Sequence, residues 1–400
     1  MNAPVAAAPQ PIEPFSRIGE ENAFAVLARA GALAAAGHDI VNLGIGQPDV
    51  PTPAHIVEAA VAALRDGAHG YTPATGLPAL REAVAHDLAT RHGASVSAEE
   101  VLIVPGGKVT MFAAILMAGE PGAEILYPDP GFPIYRSMIE FTGATPVPVP
   151  MRQANGFAFS AAETLSLISA DTRLLILNSP ANPTGGVTPR AEFDALVEGL
   201  AAHPQVMILS DEIYDRMVYD GAGHVSLLAY PSVRERLILL NGWSKTYAMT
   251  GWRLGYSVWP GEWFEAARKL AVNCWSCVNA PAQHAALAAL TGPQDAVERM
   301  MSAFDERRRF VTAALNALPG VSCVTPRGAF YAFPDIGATG WQAKPLASAL
   351  LERAGVATIG GPDFGVHGEG FIRLSYANSL PNIERAIERI GRFLNDHPAD

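Results

Sequence analysis

The sequence predicts an α/β protein with a mostly parallel central sheet covered by helices, followed by a smaller α+β unit. Two observations carry this. Short continuous apolar runs recur through the middle of the chain: VLIV (101–104), EILY (124–127), LLIL (174–177), VMIL (206–209) and LILL (237–240). A strand with helices on both faces has no polar face to alternate with, so it is apolar throughout. Stretches with helical end signals lie between several of the runs, which implies crossover connections between parallel strands. By periodicity alone the same runs would also suit buried helical segments.

The helices show themselves by their ends. Thr52-Pro53 opens an apolar-periodic stretch that stops at Gly67, Pro78 opens one that runs to Gly93, and Thr188-Pro189 opens one that ends near Pro204. Pro or a capping residue at the start and Gly or Pro at the stop satisfy the demands of helix termini. From about residue 290 the texture changes. Amphipathic helical stretches alternate with GAFYAF (328–333) and FIRLSYA (371–377), and a last helix begins near Pro381. The expected division is an arm at 1–16, a small domain from 17–47 with 290–400, and a large domain at 48–289. The arm is rich in Ala and Pro and reads as flexible rather than packed.

Composition excludes several classes. Of 400 residues, 49% are hydrophobic and 17% charged, enough to bury a large core. Lys plus Arg number 28 against 39 for Asp plus Glu, a net charge of −11, which argues against a broad footprint on nucleic acid. The stretch nearest to a membrane span, 270–292, carries Asn273, Asn279, Gln283 and His284 and is interrupted by Pro281. The N-terminus has no basic and apolar leader pattern. Three cysteines suggest a reducing compartment, so a cytoplasmic protein is expected. Cys274 and Cys277 have redox-like spacing, but no second pair supports zinc, and the ten histidines show no HExxH. No metal is expected, and the pair reads as structural.

The segments just beyond the apolar runs are the most informative, because open α/β sheets bind ligands outside the carboxyl ends of their strands. The runs lead into Pro105-Gly106-Gly107-Lys108, Pro128-Asp129-Pro130-Gly131-Phe132, Asn178 through Gly185, Ser210-Asp211-Glu212-Ile213-Tyr214, and Asn241-Gly242-Trp243-Ser244-Lys245. These ends are expected to converge on one ligand. Gly106-Gly107-Lys108 precedes an apolar helix, so backbone N–H groups there suit an anion, although an ordinary tight turn would read alike. It is no Walker A loop, since Leu102 and Val109 stand where that motif has Gly and Ser or Thr, and no GxGxxG is present.

Asp211 ends an apolar strand, where a carboxylate needs a positive partner such as a protonated heteroaromatic nitrogen, with the Tyr214 hydroxyl nearby; a simple N-cap is the other reading. Lys245 lies in an uncharged, aromatic and Gly-rich stretch that suits a lysine with a lowered pKa, able to form a Schiff base. Arg253, eight residues on, offers a fork for a phosphate dianion. Arg373 interrupts FIRLSYA and requires an anion, either a structural carboxylate or a substrate's.

Asn182-Pro183-Thr184-Gly185, the Asp211–Tyr214 segment, the stretch from Ser244 to Arg253 and the Arg373 segment resemble class I/II aminotransferases, the aspartate-aminotransferase-like pyridoxal-phosphate enzymes of fold type I. LGIGQPDVPTP (43–53) and the segment from Tyr71 to Pro78 are similar to that family as well. The resemblance spans about 17–395 in the family's order. It implies that Lys245 holds pyridoxal 5'-phosphate as a Schiff base and then moves the substrate's α-proton. Asp211 is implied to keep the pyridine nitrogen protonated, with Asn182 and Tyr214 on the ring oxygen and Phe132 stacked on the ring. Gly107, Lys108 (through its backbone), Ser244 and Arg253 match the phosphate cup, and Arg373 with the Gly46 backbone matches the site for the substrate α-carboxylate, Asn182 counting among the substrate-binding residues as well. Tyr71 resembles the residue that reaches the phosphate of a neighbouring subunit, which implies a homodimer with shared active sites.

The implied activity is transfer of an amino group from an L-amino acid to a 2-oxo acid by a ping-pong mechanism. A carbon–sulfur β-lyase or a cyclopropane-forming synthase is the alternative on the same fold. A non-enzymatic sensor fused to a DNA-binding head is disfavoured, since only the Ala/Pro arm precedes residue 15. An acidic substrate side chain would need a second cation in the pocket, which the sequence does not identify. The aromatic and aliphatic residues near the motifs favour neutral or aromatic side chains.

Overall fold

The structure is a computed structural model and describes residues 10–19 and 21–398. The chain begins with α1 (Asn22–Ala35), β1 (Val41–Asn42), α2 (Ala54–Arg65) and α3 (Pro78–His92), then alternates strand and helix: β2 (Val101–Val104), α4 (Lys108–Ala118), β3 (Glu124–Asp129), α5 (Ile134–Thr142), β4 (Thr145–Pro150), α6 (Ala161–Ser166), β5 (Thr172–Asn178) and α7 (Arg190–Gly199). Three strands, β6 (Met207–Asp211), β7 (Leu237–Gly242) and β8 (Gly255–Val258), precede α8 (Gly261–Cys274), α9 (Ala280–Thr291) and the long α10 (Asp295–Asn316). The last part holds β9 (Tyr331–Ala332), α11 (Ala343–Ala349), β10 (Val356–Ala357), β11 (Ile359–Gly360), β12 (Ile372–Ser375) and α12 (Leu380–Asp396).

Strands β2 to β8 form one seven-stranded sheet in the order β2-β8-β7-β6-β5-β3-β4. All its neighbours are parallel except β8, which runs against both β2 and β7. Successive side chains of each strand enter opposite layers, as the pleat requires. Ile103, Leu175, Ile208 and Leu239 join the apolar layer on one face, and Leu102, Leu174, Leu209 and Leu240 the layer on the other. Each such side chain is essentially without solvent and contributes roughly 1.5–3 kcal/mol by burial. This is why the runs are apolar at every position.

Two strands of the sheet differ from the pattern read in the sequence. Strand β4 is TPVPVP, whose prolines cannot donate to a ladder, and it lies at the sheet edge where that deficiency is tolerated. Strand β8 is the short GYSV, too polar and too Gly-containing to stand out.

A separate core gathers Val41 and Leu43 with Phe304, Phe330, Leu374 and Ile387, and Tyr214, Met217 and Tyr219 pack into it as well. Strand β1 pairs in parallel with β10, and β12 lies between β11 and β9. Within the arm expected at 1–16, residues 1–9 lie outside the described residues. Glu13–Arg17 form a short 3-10 turn docked on α5 rather than hanging free. Phe15 meets Phe141 edge-on at 5.3 Å, and Arg17 donates to the Phe141 carbonyl at 3.0 Å. The stretch around Cys274 and Cys277 is no continuous helix, because the chain breaks between α8 and α9 with Ser276 at a φ of 59°. Among the described residues no helix is long and apolar enough to cross a membrane.

Candidate active site

The carboxyl ends of β2, β3, β5, β6 and β7, with the loop that enters β8, open onto one cavity of about 450 Å³. Lys245, Asp211, Tyr214, Asn182, Phe132 and Arg373 line it, together with Gly46, Gly107, Lys108, Ser244 and Arg253. Tyr71 is the one predicted site residue that is not brought there. It is 90% exposed and stands away from the cavity of its own chain.

Lys245 lies beyond the end of β7. Its Nζ donates to the Gly46 carbonyl at 2.5 Å and lies 5.9 Å from the Tyr214 ring centre. Burial, reinforced by the Arg373 charge, lowers its pKa to about 8. Asp211 ends β6 and is 2% exposed. Tyr135 donates to its Oδ2 at 2.6 Å and the Ile213 N–H to its Oδ1 at 3.2 Å. Burial raises its pKa to about 6 against the pull of these two donors. Glu212, one residue on, belongs to the other face, where it accepts from Ser210 at 2.8 Å and faces His224 at 2.8 Å. Of the two adjacent acids only Asp211 lines the cavity.

Asn178 ties two strand ends together, donating to the Asp211 carbonyl at 3.0 Å and accepting from the Asn182 N–H at 3.0 Å. Arg373, on β12, donates to Asn182 Oδ1 at 2.9 Å and to the Gly44 carbonyl at 2.5 Å, while its buried Nε has no partner. Its guanidinium carbon lies 4.7 Å from the ring centres of both Tyr331 and Phe364. Tyr331 and Tyr214 share a 2.7 Å hydrogen bond. A Cβ on Gly46 would lie 2.3 Å from the Tyr331 hydroxyl, so only glycine allows that approach.

The first turn of α4 begins at Lys108, with Gly107 as its N-cap, and leaves N–H groups without intrahelical acceptors. Gly106 has a φ of 91°, and a Cβ there would lie 2.3 Å from Arg253 Nη2. The glycine therefore lets the guanidinium come up against the helix start. Arg253 itself holds a left-handed φ of 54° and donates to the Thr250 carbonyl at 2.8 Å. The loop with Lys245 and Arg253 leaves the sheet at Gly242 and re-enters at Gly255, and these two glycines pair directly across β7 and β8.

Among the cavity residues that escape the sequence reading are Tyr135, Tyr331, Glu21 and Phe24. Tyr135 lies three residues beyond Phe132, and the sequence presents Tyr331 only as part of a strand. Glu21 and Phe24 reach the cavity from the start of α1, where Glu21 pairs with Lys108 at 2.5 Å. Among the described residues, no group of three or more His, Cys, Asp or Glu side chains gathers in a way that could hold a metal ion.

The fold and this cavity define an α/β protein built around one pKa-lowered lysine, a buried aspartate and two arginines. The family model for aminotransferase class I and II matches residues 38–390. The aspartate aminotransferase of Geobacillus stearothermophilus is 39% identical over 377 residues, 93% of this chain and 95% of that protein. The crystal structure of the aspartate aminotransferase from Rhizobium meliloti superposes with a TM-score of 0.91 at 33% identity, covering 97% of this chain and 99% of the other. That of the aromatic aminotransferase from Pyrococcus horikoshii OT3 gives 0.87 at 36%, covering 92% and 99%. The chain belongs to the class I and II aminotransferases. It has their fold and is a transaminase, and these relatives do not favour the lyase or synthase alternative.

Proposed function

We propose that the cavity holds pyridoxal 5'-phosphate on Lys245 and passes an amino group from an L-amino acid to a 2-oxo acid in two alternating half-reactions. The observation that carries this is the meeting of a buried amine of pKa about 8, a buried acid and a half-satisfied arginine in one cavity. The residues fit the cofactor. Arg253, the start of α4 and Ser244 form a cup for its phosphate. Phe132 offers a ring face, and Asp211 offers an anion for a protonated ring nitrogen. The oxygen of Asn182 is occupied by Arg373, which leaves its NH₂ group to donate to the ring oxygen beside Tyr214.

When bound, the cofactor supplies a reactive aldehyde and a ring that accepts electron density from the substrate α-carbon. The chain does the rest. Arg373 receives the α-carboxylate with Gly46 beside it, and this fixes the direction of the α-C–H bond. Lys245, released by the incoming amine, carries the α-proton, and a pKa near working pH suits a group that must both take and give it. Asp211 holds the proton of the ring nitrogen in place.

The same reading makes the protein a homodimer with shared active sites, and its three free cysteines support a cytoplasmic location. The 90% exposure of Tyr71 supports a role in a partner's phosphate cup, not in its own. It also divides the chain into 17–47 with 290–400 and 48–289, as the packing of Val41 and Leu43 with residues of α10 and α12 supports. The experiment is direct. The purified protein with cofactor should be coloured, should be trapped by borohydride at Lys245, and should form a 2-oxo acid from an amino donor only when an acceptor oxo acid is present. Release of ammonia without an acceptor, or trapping at another residue, would overturn the reading.

A further inference from the structure

The cations lining the cavity are Lys108, Lys245, Arg253 and Arg373. On the transaminase reading, on which this inference rests, Lys245 is taken by the cofactor aldehyde, Arg253 by its phosphate and Arg373 by the substrate α-carboxylate. Among the described residues of this chain that line the cavity, Lys108 alone is left to meet a charged substrate side chain. Its Nζ, however, already pairs with Glu21 at 2.5 Å and lies 5.4 and 5.1 Å from the ring centres of Phe24 and Phe132. Glu21 occupies the N-cap of α1 yet makes no capping bond with its side chain, so its carboxylate is turned to the cavity rather than to its own helix.

A second carboxylate arriving at Lys108 would meet an ammonium whose charge is matched, with the Glu21 carboxylate beside it, and like charges at that range repel. The side chains shown beside Lys108, Phe24 and Phe132, are apolar. A neutral side chain can lie on them without breaking the ion pair, whereas a dicarboxylate must displace Glu21 first.

We infer that Glu21 is a specificity-determining residue: by occupying Lys108 it turns the side-chain pocket toward amino acids with neutral, apolar or aromatic side chains and against dicarboxylic ones. The two observations that carry this are the Glu21–Lys108 pair and the absence of any other unassigned cation among the described residues lining the cavity.

The test compares kcat/KM of the cofactor-loaded enzyme for phenylalanine, leucine, aspartate, glutamate and lysine as donors, in the parent protein and in Glu21→Gln. The parent should prefer phenylalanine or leucine over aspartate at least tenfold. Glu21→Gln, which frees the Lys108 charge, should raise the aspartate-to-phenylalanine ratio tenfold or more, about 1.4 kcal/mol. Adding Lys108→Met to that variant should cancel the gain. A parent that prefers aspartate or glutamate overturns the inference whatever the variants do. So does an unchanged ratio in Glu21→Gln, or a preference for lysine that the variant loses, since Glu21 would then be a counter-ion for a basic substrate. If no donor at all reacts with the loaded enzyme, it is the transaminase reading that fails.

Discussion

The Tyr135 hydroxyl donates a 2.6 Å hydrogen bond to Asp211 Oδ2, with the phenol wholly buried and the carboxylate almost so. The bond favours the ionised acid and restrains the upward push of burial, which nonetheless leaves the Asp211 pKa at about 6. On the proposed function, Tyr135 is therefore a positioning and tuning residue for the group that would face the cofactor ring. Tyr135→Phe removes a hydrogen bond to a charged acceptor and should weaken cofactor binding on the order of tenfold. Titration of the bound chromophore checks this; unchanged affinity would mean Asp211 needs no help from the phenol.

Asp211 also gives the cofactor-free protein a pH signature. Its folded pKa lies above its unfolded value near 3.8, so the folded state binds the extra proton between about pH 4 and 6. The stability this confers is complete below pH 4 and is lost as pH rises through 6. The stability of Asp211→Asn relative to the parent should accordingly improve between pH 4 and 7, by up to about 3 kcal/mol. Denaturant unfolding at several pH values measures it, and a difference that does not vary with pH would contradict a carboxyl shifted upward.

The amine of Lys245 should react as a base of pKa about 8 in the cofactor-free protein. Burial is the main cause and the Arg373 charge the next, so Arg373→Leu should move the titration upward. The pH dependence of acylation at Lys245, measured by mass spectrometry, reads both. A midpoint near 10 in the parent would mean that the cavity does not disfavour the ammonium.

Gly106→Ala puts a methyl group 2.3 Å from the Arg253 guanidinium at a φ of 91°. The backbone strain alone costs about 1–2 kcal/mol. The displaced arginine should weaken binding of pyridoxal 5'-phosphate more than binding of pyridoxal, which has no phosphate. Equal losses for the two compounds would remove Arg253 from the phosphate cup.

Much of this architecture is legible in the sequence alone, and for a physical reason. Strands β2, β3, β5, β6 and β7 are buried on both faces and so are apolar at every position, and the residues beyond them are short polar or glycine-rich segments with little else to do. The helix limits at Pro78 and Gly93 are equally plain, with Gly93 at a φ of 65° ending α3. Strands β4 and β8 are hidden, one by prolines that an edge tolerates and the other by its brevity. Tyr331 and Glu21 cannot be read at all, because β9 and the start of α1 come to the cavity through packing between segments far apart in the chain. Tyr135 gives a faint signal, since three residues on a helix start bring it near the side of Phe132.

The reversal at β8 has a mechanical result. Because Gly242 and Gly255 sit opposite one another on adjoining strands, the segment bearing Lys245 and Arg253 is a handle with both feet planted side by side. A Cβ on Gly242 would press within 2.9 Å of the Gly255 Cα and wedge those feet apart. The spacing of these two side chains is thus set at the feet of the handle, below the side chains themselves.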